Sequence, residues 1–165
     1  MKILFKRTAI ALLALLAFAG ALVGIEYFGG QPMGLFSGSR PSNLGFNAGK
    51  FAPLSWKPNC VSSTVDKCDE THFIAPLVYV SNSTDAWKKL TGIVKKSPRA
   101  TVVNENANYL DAEFKSAGMG YVDDVEFALD EKAGVIHVRS ASRLGIRDMN
   151  VNRKRIEAIR AQFGK

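Results

Sequence analysis

Residues 121–145 read YVDDVEFALDEKAGVIHVRSASRLG, two alternating runs on either side of the breaker DEKAG. Alternation with period two is what a strand with one buried face requires, and the short polar loop folds the runs into an antiparallel hairpin. No other segment constrains the fold so tightly, because one register sorts every side chain of both strands. On the first strand Tyr121, Asp123, Val125, Phe127 and Leu129 share a face, and Val122, Asp124, Glu126 and Ala128 share the other. On the second, Ile136, Val138, Ser140 and Ser142 oppose His137, Arg139, Ala141 and Arg143. The core face must be Val125, Phe127 and Leu129 with Ile136 and Val138. That leaves Asp124, Glu126, Arg139 and Arg143 as a salt-bridged, solvent-exposed sheet face, with Glu126 and Arg139 within cross-strand reach. Exposed pairs of this kind contribute at most about 1 kcal/mol each.

Asp123 does not fit that arrangement, because its position in the pleat turns it toward the core. A buried carboxylate needs a partner or a raised pKa. Ser140 and Ser142 share its side, and Arg147 or Arg153 could reach back as counter-ion. Asp123, Ser140, Ser142, Arg147 and Arg153 are therefore the candidate ligand-binding residues, with a buried structural pair as the leading reading. A bulge at Asp123-Asp124 would instead turn both outward. No residue is assigned a catalytic role.

Around the hairpin the pattern is α+β. DAWKKLTGIVKK is an amphipathic helix with Ala86, Leu90, Ile93 and Val94 on one face, capping chemistry at Ser83–Asp85 and a stop at Ser97-Pro98. Residues 101–105 and 108–116 are strands; in the second, Leu110, Ala112 and Phe114 alternate with Asp111, Glu113 and Lys115. Residues 72–80 look extended, with Pro76 confining them to an edge. NVNRKRIEAIRAQF closes the chain as a helix with Ile156, Ile159 and Phe163 on its core side and Asn150 or Asn152 as cap. The predicted architecture is an antiparallel four-stranded meander with both helices on one face, preceded by one transmembrane helix.

That last element is residues 8–25, eighteen uncharged residues behind Lys2, Lys6 and Arg7. At ~1.5 Å per residue they span about 27 Å, enough for a bilayer core. The basic residues on the short side predict a cytoplasmic N-terminus, an inner-membrane single pass and a periplasmic domain. A signal peptide cut after Ala19 is the competing reading, disfavoured because the apolar run continues to Ile25. The expected organisation is an anchor at 1–28, a Gly/Pro/Ser-rich linker and docking arm at 29–58 that lies on the domain from about Leu44, and an exported domain at 59–165. Within that compartment Cys60 and Cys68, the two cysteines of the chain, are expected to form a disulfide. With His72 nearby but no CxxC spacing, no metal is expected.

Residues 139–165 hold eight basic and two acidic side chains. An exported domain has little occasion to meet nucleic acid, so no such partner is expected. A solvated helix face is the favoured reading, with anionic lipid beside the anchor as the alternative partner. There is no Gly-x-Ser-x-Gly elbow, P-loop, dinucleotide fingerprint or HExxH, and no cofactor is predicted.

Several stretches together resemble the family catalogued as domain of unknown function 1499. They are Leu44-Gly45, Pro58-Asn59-Cys60-Val61-Ser62-Ser63, His72 with Ile74 and Pro76, Tyr121 through Phe127, Arg139-Ser140-Ala141-Ser142-Arg143-Leu144-Gly145, and Asp148 with Asn152-Arg153-Lys154-Arg155-Ile156. The resemblance covers roughly residues 44–163 and implies an exported or membrane-anchored protein of bacteria or plastids, with no established activity. Three functions remain open at this stage. One is non-catalytic binding of a small apolar ligand, lipid or envelope partner. The second is an enzyme using Asp123 with nearby Ser and Arg groups, and the third is an envelope scaffold.

Overall fold

The computed structural model describes residues 36–165. The expected membrane-spanning run, and the whole of segment 1–28, lie outside them. Among the described residues no helix is long and apolar enough to cross a membrane.

The fold is α+β. Its centre is the predicted hairpin, β7 (Val122–Asp130) and β8 (Val135–Ser142), closed by a turn in which the Asp130 carboxylate accepts the Ala133 N–H at 3.0 Å. The register is the one the pleat requires, pairing Glu126 with Arg139, Phe127 with Val138 and Asp123 with Ser142. Strand β6 (Tyr109–Lys115) lies beside β7, and β5 (Ala100–Glu105) beside β6. The sheet has six strands rather than four. The additions lie on the free edge of β8, where β3 (Cys60–Ser62) pairs Cys60 with Ala141 and β4 (Leu77–Val78) pairs Leu77 with Ile136. β4 falls within the stretch 72–80 expected to be extended at an edge, whereas β3, of three residues, is too short to show alternation.

One face of the sheet is covered by α1 (Ser83–Lys96) and α2 (Val151–Phe163). The Asn82 side chain caps α1 by accepting the Asp85 N–H at 2.8 Å. Leu90 and Val94 from α1, Ile156 and Ile159 from α2, and Val125, Phe127, Ile136 and Val138 from the sheet make one continuous core. These side chains fill the space between helices and sheet, and Leu90, Phe127 and Ile156 have no exposed surface. Deleting one of the larger ones would cost about 3 kcal/mol.

The opposite face is covered by the arm, residues 36–58. The arm engages earlier than expected, since Phe36 already stacks on Tyr121 with ring centroids 5.1 Å apart. A small hairpin, β1 (Phe46–Asn47) and β2 (Lys50–Phe51), turns through Ala48 and Gly49, both at positive φ, as a two-residue turn needs. Phe46 packs edge-on against Phe51 and stacks on His137 at 5.5 Å.

Candidate functional site

The segment RSASR, the end of β8 and the residue after it, places two polar assemblies back to back, because successive side chains of an extended chain leave opposite faces. Ser140 and Ser142 point to the helices; Arg139, Ala141 and Arg143 point to the arm.

On the helix side, Asn152 of α2 is completely buried. Its Nδ2 donates to the Asn59 carbonyl, the Ser142 hydroxyl and the Asp148 carboxylate, each at 2.9 Å. Its Oδ1 accepts from the Ser140 hydroxyl at 2.5 Å and from Arg155 Nη1 at 2.7 Å. Asp123 is buried here, with its carboxylate 2.5 Å from Arg155 Nη2, and the Arg155 guanidinium lies over the Phe114 ring at 4.9 Å. The counter-ion is thus neither Arg147 nor Arg153. Arg155 shares the sheet-facing side of α2 with Asn152, Ile156 and Ile159. Arg153 is turned about 200° from it by the helical pitch and donates instead to the Phe73 and Thr71 carbonyls at 2.8 and 3.0 Å. Arg147 is exposed on the loop after β8. Neither expected asparagine caps α2 through its side chain. Asn150 is left-handed with no side-chain cap bond, and the Asp148 carboxylate takes the Asn150 and Asn152 N–H groups at 3.0 and 2.9 Å.

On the arm side the charged face is buried rather than exposed. Glu126 has no exposed surface, and Asp111, Asp124 and Arg139 are also buried. Arg143 grips Asp124 through two bonds, 2.9 Å from Nε and 2.6 Å from Nη2, and reaches Glu113 at 2.5 Å. Arg40 of the arm bonds Asp111 at 2.5 Å and approaches Glu113 and Asp124 at 3.3 and 3.5 Å. Glu126 accepts from Arg139 Nη1, the Tyr109 hydroxyl and the Gly45 N–H, all at 2.7 Å. Three guanidiniums thus face four carboxylates. The hydrogen bonds to Asp124 and Glu113 hold Arg143 charged far above any physiological pH. Burial pushes the Glu113 carboxyl up, but the Arg143 and Arg40 bonds outweigh it and hold it below the usual carboxylate range. Burial, then the bond to Glu126, push the Tyr109 phenol well up.

Between the arm and β8 lies a cavity of about 210 Å³ whose walls include Ser55, Cys60, Asp124, Arg139, Ala141 and Arg143. Arg139 Nε is buried and has no hydrogen-bond partner, the only such side-chain atom among the described residues. Cys60 brings its thiol to the same wall, where it donates to the Lys57 carbonyl at 3.3 Å. Burial pushes this thiol up, against the opposing pull of Ser55 and Arg139, so it remains protonated at neutral pH. His72 reaches the same Lys57 carbonyl from Nε2 at 3.1 Å while its Nδ1 meets Asp69 at 2.8 Å. The expected Cys60–Cys68 disulfide does not form: both cysteines are free, Cys60 buried in the cavity wall and Cys68 exposed on the following loop. Among the described residues no three His, Cys, Asp or Glu side chains gather as a metal site.

A serine–histidine contact occurs at Ser63 Oγ and His137 Nδ1, 3.1 Å apart. The Ser63 hydroxyl also accepts the Val138 N–H at 2.9 Å, and Asp130 stands 3.7 Å from His137 Nε2, beyond a hydrogen bond. This chain of contacts extends the β3–β8 pairing rather than activating a nucleophile.

The sequence found the charged face and the inward Asp123. It missed Arg40 and Tyr109, the cavity lined by Cys60 and Arg139, and the roles of Asn152, read as a helix cap, and of Arg155 as the partner of Asp123. One signal for Arg40 was present, as it is the single basic residue between positions 8 and 49.

A family model described as protein of unknown function (DUF1499) matches residues 50–163. No curated protein and no solved structure matches the chain.

Proposed function

The chain belongs to the DUF1499 family, and from that premise we propose that it is a membrane-tethered, exported binding domain whose cavity under the arm takes a small, hydrogen-bond-accepting molecule without transforming it. The observation that carries this reading is a cavity lined by Arg139, a residue whose Nε is a buried donor without a partner. Leaving a buried donor unsatisfied costs about 1–3 kcal/mol, and a carboxylate or carbonyl oxygen placed there recovers it. The volume, about 210 Å³, is below the ~300 Å³ at which drug-sized ligands begin to fit. The ligand is therefore small, of the size of an amino acid or a short organic acid.

An apolar ligand between helices and sheet is less well supported, because that space is filled by core side chains. Acid–base chemistry at Asp123 is also less well supported, since Arg155 holds the carboxylate beneath α2. A basic scaffolding helix has little support either. Arg153, Arg155 and Arg160 turn inward to carbonyls and to Asp123 instead of forming a patch.

Native mass spectrometry of full-length protein released from membranes tests the proposal. Wild type should carry an added small mass that Ala141→Leu, which fills the cavity without removing a charge, does not. Wild type and variant each appearing at its own bare sequence mass would refute it.

A further inference from the structure

Most of the large apolar side chains that the domain exposes lie at one end of the sheet. Met119 and Tyr121 are on the β6–β7 connection, and Leu144, Ile146 and Met149 are on the β8–α2 loop, exposed by 37 to 83%. Both connections leave the same end of the sheet, since the Arg143 N–H bonds the Val122 carbonyl. Trp56, 77% exposed, sits on the loop whose Asn59 side chain donates to the Gly145 carbonyl at 3.0 Å. Scattered single apolar residues on a surface call for no explanation, but a gathered set marks an interaction site.

The β8–α2 loop is built to hold this display. Met149 and Asn150 are both left-handed, at φ 54° and 62°. A side chain such as methionine adopts that region at a cost of about 1 kcal/mol, and it persists only where the surroundings impose it. Here the Asp148 carboxylate fixes the turn from one side and Asn59 fixes Gly145 from the other. The outcome is Met149 held in solvent at 83% exposure. Cationic side chains surround the apolar group: Arg99, Arg147 and Lys154 are all exposed at this end. The one carboxylate of the loop, Asp148, is taken up in holding its backbone.

We propose that this end of the domain docks into the headgroup–hydrocarbon boundary of an anionic bilayer. Leu144, Ile146 and Met149 insert, while Arg147, Arg99 and Lys154 meet lipid phosphates. The occupant is a bilayer because of where the chain enters the domain. Phe36 stacks on Tyr121 at this same end, and only residues 26–35 separate it from the uncharged run 8–25. Ten residues reach at most ~35 Å. The inference therefore rests on the tethering part of the proposed function, though not on the cavity.

The test uses the full chain with Cys68→Ser, in vesicles of phosphatidylcholine and phosphatidylglycerol, carrying a nitroxide at Met149→Cys. A control carries it at Val80→Cys, fully exposed beyond β4 at the other end of β8. The label at 149 should collide several-fold more with oxygen than with a water-soluble nickel complex, and the label at 80 should show the reverse. Equal nickel accessibility at both positions would overturn the docking. Shielding of the label at 149 from both reagents would also overturn it, indicating a protein contact instead of lipid. Flotation of the same vesicles reports separately on the tether: a chain that floats with an aqueous label at 149 is anchored but not docked.

Discussion

Arg139 is a costly residue to bury. Removing a guanidinium from water costs several kcal/mol, recovered only when its donors find acceptors. Nη1 finds Glu126, whereas Nε is buried and finds none, and Arg139 is among the residues that line the cavity. Its neighbour Cys60 is buried, and its thiol is shifted up by that burial, so it should be inert as a nucleophile. Iodoacetamide at pH 8, without reductant, is expected to label Cys68 alone in the folded protein and both cysteines after denaturation. Protection of both until reductant is added would restore the disulfide. On the other face of the strand, Asp123→Ala leaves Arg155 uncompensated under α2. It should destabilise by about 3 kcal/mol, with most of that loss absent when Arg155→Met is already present. Chemical denaturation of the four proteins of the cycle measures this, and additive losses would show that the pair is not coupled. The inward turn of Asp123 is legible in the sequence because the pleat permits nothing else. The identity of its partner is not, because Arg153 and Arg155 differ only in helical phase, which an error of two residues exchanges, and Arg147 is set apart only by where the helix starts.

At the scale of elements, the arm decides whether a charged sheet face is surface or interior. Period two tells which side chains share a face but not what covers that face. Asp111, Glu113, Asp124 and Glu126 read as exposed because charged residues mostly are. Their cover comes from a segment more than seventy positions away in the chain, rich in Gly, Pro and Ser, with no periodicity to declare it. Arg40 is the pin that holds the arm down. Arg40→Ala should lower stability by about 2 kcal/mol, since hydrogen bonds to charged groups contribute ~1.5–3 kcal/mol. It should also speed hydrogen exchange at the Gly45 amide, which bonds Glu126. Unchanged exchange there would mean the arm is held by its aromatic residues alone. The short strand β3 was unreadable for a related reason, since its place is set by the edge of β8 and not by its own pattern, whereas β4 falls within the stretch 72–80 that was read as extended and at an edge.

Across the whole molecule, the buried network couples folding to pH. The Glu113 carboxyl is held below its ordinary value of 4.5. A group depressed in this way contributes stability that is complete above its unfolded pKa and is lost as pH falls through the lower, folded value. The melting temperature should therefore change little between pH 5 and 7 through this group, then fall below about pH 4.5. Glu113→Gln should have a shallower acid limb, and an acid limb of equal slope in both proteins would remove Glu113 from the linkage. The two polar assemblies also divide the molecule by role. Asn152, Asp123 and Arg155 lock helix to sheet with no buried side-chain donor left without a partner, while the arm side keeps one beside a cavity. The most direct measurement is a crystal structure of the full-length protein purified from membranes without exchange of its native contents. An acceptor atom of a bound small molecule should stand within about 3 Å of Arg139 Nε, between Cys60 and Ala141. Arg139 Nε bonded to a protein carbonyl, or to solvent alone, would contradict the binding function.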